Sequence, residues 1–373
     1  VDFALAAADD PRRLRVRDWL SEHPDPSAEQ LARAGYVKPR FPVPYGKGAD
    51  VLEELIIDEE LAAAGVDRPD NAIALGWAAP TLLNFGNAAQ QERHLWPILT
   101  GQEQWCQLFS EPNSGSDLAS LQTRAERDGD EWVVNGQKIW TSGAEHSEYG
   151  MLLARTDPDA AKHRGITWFI CPMDRPGIEI RPIIEMTGNR HFNEVFFTDL
   201  RIPAENVVGE LHGGWTAAKF TLANERVALS GGGAIWGMGP SVHDLVSRAR
   251  AGGVSKKAHR QELARLYTED RIIHLIGLRI LTDLVAGRQP GAIAEVKKLM
   301  ADRAGQRIMN LAKDLAGPDG MRTDRGPFGE ETDVWNWGFL FSPALTIGGG
   351  TSQILLNVIA ERMLGLPREP LLR

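Results

Sequence analysis

Leu108-Phe109-Ser110-Glu111-Pro112-Asn113-Ser114-Gly115-Ser116-Asp117 decides how the rest of the chain is read. Two apolar residues lead into a run of Ser, Pro, Asn, Gly and Asp, so a buried segment gives way to a polar loop rich in hydrogen-bond donors. The hydrophobic period differs on its two sides. Upstream, Leu52, Leu55 and Ile56 share a helical face beside Asp58-Glu59-Glu60, and Gln90 to Leu99 reads as a short helix closed by Thr100-Gly101. Ahead of both, Phe41 to Gly48 is a Pro and Gly-rich loop.

From Trp105 onward the segments Gln122 to Arg127, Glu131 to Val134, Gln137 to Thr141, Met151 to Arg155, Ile166 to Cys171, Ile178 to Ile184 and Glu194 to Phe197 are short, β-branched or aromatic, and separated by turn residues. Asn135-Gly136 predicts a hairpin turn between two of them, because both residues tolerate positive φ. After Trp215 long helices return. Val296, Met300, Ala304, Ile308, Leu311 and Leu315 recur at steps of three and four, and Ile272, Ile273, Leu275, Ile276, Ile280, Leu281 and Leu284 form a broad apolar face. Arg248 to Lys257 reads as a solvated interhelical loop. The expected organisation is α+β: an N-terminal helical domain over residues 1–104, a middle antiparallel β domain over 105–212, and a C-terminal four-helix bundle over 213–373.

A chain of 373 residues is long enough for such a division. Its formal charge of -9 argues against a general nucleic-acid groove. Eleven Trp supply core packing or a wall against a planar ligand. With Cys106 and Cys171 as the sole cysteines, neither a disulfide framework nor a metal cluster is indicated, and a cytoplasmic setting is expected. No export signal opens the sequence, and no apolar run approaches the roughly 20 residues of a membrane span.

Generic motif scans yield little. Gly231-Gly232-Gly233 with Gly237 and Gly239 lacks the leading strand of a nucleotide-binding turn, so close helix packing or room for a ligand is the better reading. Three separated segments say more together: the opening loop, Lys138-Ile139-Trp140-Thr141-Ser142-Gly143 at a strand end, and Gly348-Gly349-Gly350-Thr351-Ser352-Gln353 between helices. Each alone could merely cap or turn the chain.

In combination, over essentially the whole length, they resemble the acyl-CoA dehydrogenase family. The resemblance implies FAD held between the β domain and the bundle, and desaturation of an acyl-CoA thioester to a trans-2-enoyl-CoA. It implies that Phe109 and Ser110 line the flavin, that Ser116 meets its pyrophosphate or the thioester portion of substrate, and that Trp140 covers the flavin ring with Thr141 and Ser142 near its reactive end. Thr351 and Gln353 match late contacts to FAD, and Gly317-Pro318-Asp319-Gly320 matches a glycine loop offered by a neighbouring subunit. Donors around a reducible ring fit the chemistry because they stabilise the charge it gains.

Removing the α proton also requires a carboxylate. Many members carry it immediately before the late Gly-Thr motif, where this chain has Gly349. A second placement, on the first bundle helix before an arginine, falls on Glu225-Arg226, making Glu225 the candidate base and Arg226 a substrate-orienting or helix-supporting residue. Gly349 is left to offer its N–H to the thioester oxygen, and its missing side chain leaves room for a bulky or ring-bearing acyl group such as a sterol-derived one. Ser247 to Gly253 lacks the Arg-x-x-Phe-Gly segment common in the family, which points to a different adenine contact or a paralogous partner. Expected partners are the acyl-CoA, an electron-transfer flavoprotein, and further subunits in a homo-dimer, homo-tetramer or hetero-oligomer. Alternatives are a non-catalytic structural subunit of a heteromeric dehydrogenase and an oxidase-like flavoenzyme.

Overall fold

The computed structural model describes residues 7–229, 234–236, 239–254, 256–288, 291–321 and 334–368. Its contacts divide the chain into two units, one running to Ile183 and resuming over Arg190–Asn224, the other comprising Ile184–Asn189 and the chain from Glu225 onward.

The first unit begins with helices α1 (Pro11–Glu22), α2 (Ala28–Arg33), α3 (Val51–Ala63), α4 (Ala79–Phe85) and α5 (Ala88–Leu99). Their starts are written in the sequence. Asp50 caps α3 by accepting from the Glu53 N–H at 2.7 Å, and Ser27/Gln30 and Asn87/Gln90 form reciprocal capping boxes on α2 and α5. Gln90 serves twice, since its amide also donates to the Glu205 and Val207 carbonyls at 2.7 and 2.8 Å and so ties α5 to the far end of the β region.

The sheet comprises β1 (Trp105–Leu108), β2 (Arg124–Asp128), β3 (Glu131–Ser142), β4 (Tyr149–Arg155), β5 (Ile166–Pro172), β6 (Ile178–Pro182), β7 (Phe192–Pro203) and β8 (Val207–Val208). Its main path is β6-β7-β3-β2-β4-β5-β8, with β1 added on β4. The pairing is antiparallel apart from β1 and a single β2 position, which lie parallel to β4. β4 and β5 are covered on both faces. Met151, Leu153, Ile166, Trp168 and Ile170 join the N-terminal helices in one core, while Leu152, Ala154, Phe169 and Cys171 face a second core with Val134, Val195 and Leu200. Burial on both sides explains why these two segments read as continuous apolar runs rather than alternating ones.

Two expectations are corrected here. Asn135-Gly136 is no hairpin turn: β3 runs through it unbroken, and the chain reverses instead between Asp128 and Glu131. Asn135 sits at a register shift, where its side chain exchanges hydrogen bonds with Asp199 of β7 at 2.9 and 3.1 Å. Gly136 is required by close approach, because a Cβ there would lie 2.7 Å from Thr123 Cα. Likewise Arg248 and Arg250 are helical, leaving a shorter connection than the one expected from Arg248 to Lys257.

Helix α6 (Gly214–Leu229) follows the sheet, and the second unit contains α7 (Val242–Gly252), α8 (Lys257–Val285), α9 (Ile293–Ala316), α10 (Val334–Phe341) and α11 (Ser352–Val358). α9 is its centre, packing against α7, α8, α10 and α11. Its buried face takes in the middle of the expected stripe, Ala304, Ile308 and Leu311, and widens to Lys298, Asp302, Gly305 and Met309, while Val296, Met300 and Leu315 are half-buried. On α8 the expected broad apolar face is partly covered, with Ile273, Ile276, Ile280, Leu281 and Leu284 half-buried. Leu266 is the one residue of that helix found buried, and Ile272, Leu275 and Val285 are exposed.

Replacing Gly136 by Ala should destabilise the first unit by about 1–3 kcal/mol through overpacking against Thr123. Thermal unfolding followed at the buried tryptophans tests this, and an unchanged midpoint would mean that the β2/β3 contact yields freely.

Candidate active site

The loop from Phe109 to Asp117 is fixed by one buried charge pair. β3 points Lys138 inward, fully buried, and its ammonium donates to the Phe109 carbonyl at 3.1 Å and to Glu111 Oε1 at 2.8 Å. The same carboxylate accepts from the Gln122 and Thr123 N–H groups at 2.6 and 2.9 Å. Burial works against charge on Glu111, but Lys138 and these donors hold its carboxyl below the ordinary value. Burial pulls the Lys138 ammonium down to about 8 against the attraction of Glu111. Ile139 adds a backbone bond by donating to the Ser110 carbonyl at 2.9 Å. The loop and the strand bearing Trp140 are therefore one rigid piece.

What this piece presents is specific. Phe109 is buried and Ser110 half-buried, while Ser116 is exposed beside Asp117, which pairs with Lys162 at 2.6 Å. Trp140 is 57 % exposed and adopts φ 61°, a left-handed conformation uncommon for an aromatic residue. It stands at a break in the β3/β7 register between Lys138 and Thr141. Thr141 is buried, its carbonyl accepts from Asn193 at 3.1 Å, and its hydroxyl has no partner among the described residues. Ser142 follows, half-buried. The exposed indole offers a flat surface for a planar ligand, while the Thr141 hydroxyl is enclosed on the buried side of the strand.

The second unit carries the remaining candidates. Glu225 is buried near the end of α6, four residues beyond the buried Thr221 and so on the same helical face. Arg226 lies on this helix, with its side chain outside what is described, as are Gly231, Gly232, Gly233 and Gly237. Gly349 and Gly350 form a turn with φ 61° and 96°, open only to glycine at low cost, and a Cβ on Gly348 would lie 2.7 Å from the Trp236 ring. Thr351 caps α11, its hydroxyl accepting from the Ile354 N–H at 3.2 Å, and Gln353 is exposed. Gly317 ends α9, and in the following turn the Gly320 carbonyl accepts from Lys313, whose ammonium also reaches Asn336 Oδ1 at 2.5 Å.

The residues that sequence reasoning overlooked are the lysines and their partners. Lys138 occupies an inward position of β3, in phase with Trp132 and Val134, which is a legible signal. Lys298 and Asp302, paired at 2.7 Å, are spaced like an ordinary surface pair, and nothing local marks them as buried.

Comparison with known proteins gives concordant matches. The family model described as Acyl-CoA dehydrogenase, N-terminal domain, matches residues 5–102, the middle-domain model matches 106–200, and the C-terminal-domain model matches 212–364. Acyl-CoA dehydrogenase FadE34 of Mycobacterium tuberculosis is 45% identical over 338 residues, covering 91% of this chain and 46% of that protein. The chain thus spans about half the length of FadE34. Acyl-CoA dehydrogenase IpdE1 of the same organism is 40% identical, with 91% of this chain and 87% of that protein covered. Among solved structures, the Tcur3481-Tcur3483 steroid ACAD matches with TM-score 0.80 and 29% identity over 99% of both chains. The ChsE4-ChsE5 complex from Mycobacterium tuberculosis matches with TM-score 0.79 and 28% identity over 99% of this chain and 100% of that one.

Substituting Lys138 by Met strands Glu111 as a buried charge, with an expected loss of about 3–5 kcal/mol in chemical denaturation. Pairing it with Glu111→Leu should recover much of that stability while loosening the loop. Equal stability of the single variant and the parent would show that the pair is not what fixes this loop.

Proposed function

Because this chain belongs to the acyl-CoA dehydrogenase family, we propose that it removes the α proton and β hydride of an acyl-CoA thioester to give a trans-2-enoyl-CoA. The observation carrying this reading is the rigid coupling of the Phe109 to Asp117 loop to the strand that presents Trp140 and Thr141. FAD is the cofactor of the family, and this face suits it: the exposed indole of Trp140 offers a stacking surface, and Thr141 is proposed to contribute through its main chain. Phe109, Ser110, Ser116 and Ser142 would complete that contact, with Thr351, Gln353 and the Gly317 to Gly320 turn as further FAD contacts. When bound, FAD supplies the two-electron acceptor for the hydride.

The chain itself must move the proton. We assign this task to the Glu225 carboxylate, since Gly349 stands where many members place the base. As the α proton leaves, negative charge grows on the thioester oxygen, and the Gly349 N–H is the donor proposed to stabilise it. Arg226 is proposed to orient the substrate.

A bulky, steroid-derived acyl group is the proposed substrate class. Support comes from the solved structure whose title refers to a steroid ACAD and from the glycine at 349, which carries no side chain into the site. Electrons are proposed to leave through an electron-transfer flavoprotein. The uncovered apolar residues of α8 favour assembly with further subunits, identical or paralogous. Among the described residues no helix is long and apolar enough to cross a membrane.

Anaerobic stopped-flow reduction with a panel of straight-chain and steroid side-chain acyl-CoAs tests the activity, with fastest reduction expected for the steroid thioesters. Absence of reduction by the FAD-loaded protein, alone or with its co-purifying subunit, would refute it. Glu225→Gln should slow that reduction by about 10²- to 10⁴-fold while FAD content is kept. Rapid reduction by this variant would move the base elsewhere.

A further inference from the structure

The second unit buries a charge to which the reading above gives no task. Lys298 on α9 is 1 % exposed, and its ammonium makes three donations. One goes to Asp302 Oδ2 at 2.7 Å, one turn further along the helix. The others go to the Gly348 carbonyl at 3.0 Å and the Gly350 carbonyl at 3.4 Å. Burying an ammonium is costly, and apolar residues of the same volume would often serve stability as well or better. The pair therefore calls for an explanation beyond stability, and the two glycine carbonyls supply one.

A trans peptide is planar, so its N–H points opposite to its C=O. Fixing the Gly348 oxygen on Lys298 consequently aims the Gly349 N–H away from α9. Fixing the Gly350 oxygen does the same for the Thr351 N–H. Without the ammonium, glycines at 348 and 349, on either side of the Gly348–Gly349 peptide, leave it easy to rotate, because no Cβ restricts the torsions that flank it. The Trp236 ring closes one side of Gly348, so rotation of that peptide is the freedom that remains. Asp302 in turn holds the ammonium in place. Burial pushes the Asp302 carboxyl up to about 6 against the attraction of Lys298.

We propose that Lys298, oriented by Asp302, is a positioning residue that fixes the Gly348–Gly349 peptide so that the Gly349 N–H meets the thioester oxygen of the substrate. The proposal rests on the reading of this chain as an acyl-CoA dehydrogenase. It adds the device that aims a donor carried on a run of glycines.

The test uses the FAD-loaded full chain and a thioester that cannot lose a hydride. The probe is the 3-thia analogue, ¹³C-labelled at its carbonyl, of the acyl-CoA that reduces the flavin fastest. The parent should lower the stretching frequency of the bound carbonyl and exchange the α protons with solvent deuterium. Lys298→Met should lose most of the frequency shift and exchange on the order of 10²-fold more slowly, the scale of one lost oxyanion donor. Its FAD content and its Kd for the analogue should stay within about threefold of the parent, since binding is not what a misaimed donor removes. If that variant folds poorly, Lys298→Met with Asp302→Leu removes both charges at similar volume and carries the same expectation. A parent-like frequency shift in either folded variant overturns the proposal. So does loss of FAD or analogue binding in step with exchange in both, which is the pattern of a purely structural pair. A parent that neither reduces its flavin nor exchanges the probe would instead refute the underlying reading of function.

Discussion

A lysine ammonium gripping the carbonyl oxygens of a loop is the interaction on which the rest of this molecule depends. Lys138 holds the Phe109 carbonyl, Lys298 those of Gly348 and Gly350, and Lys313 that of Gly320. Carbonyl oxygens that turn inward in irregular backbone need donors, and an ammonium can satisfy several at once from one point. The cost is desolvation, offset for Lys138 and Lys298 by a buried carboxylate within 2.8 Å. Irregular segments are thus tied to neighbouring strands and helices.

The same arrangement separates fixing a loop from using it. Glu111 is consumed by Lys138 and two N–H groups, leaving its exposed neighbours Asn113, Gly115 and Ser116 open to solvent. Thr351 caps α11 through its hydroxyl oxygen, while that hydroxyl's proton remains free to be donated elsewhere. Groups that hold the backbone and groups that could meet a ligand are therefore different atoms, often in adjacent residues.

The alternation of helix, sheet and helix was legible because periods of 3.6 and 2 are local properties, and so were the caps at Asp50 and Asn87. Asn135-Gly136 misled because its meaning is not local. The asparagine answers Asp199 on another strand and the glycine makes way for Thr123, and neither relation can be seen in the dipeptide. The widening of the buried α9 face has the same origin: Lys298 reads as surface until the carbonyls waiting for it, some fifty residues later, are known. Motif letters pointed to Trp140 and Thr141, but the strained φ of one and the unpartnered hydroxyl of the other emerge only in three dimensions.

The irregularity at Trp140 has a further consequence. In a regular strand, residues three apart face opposite sides of the sheet, yet Lys138 and Thr141 are both buried while Trp140 is exposed. The left-handed residue between them resets the phase of the pleat. Everything downstream to Ser142 takes its side from that one reset, so gaining or losing a single residue in this segment would exchange inside for outside. Evolution should consequently be free to respell much of this strand, but held to its length.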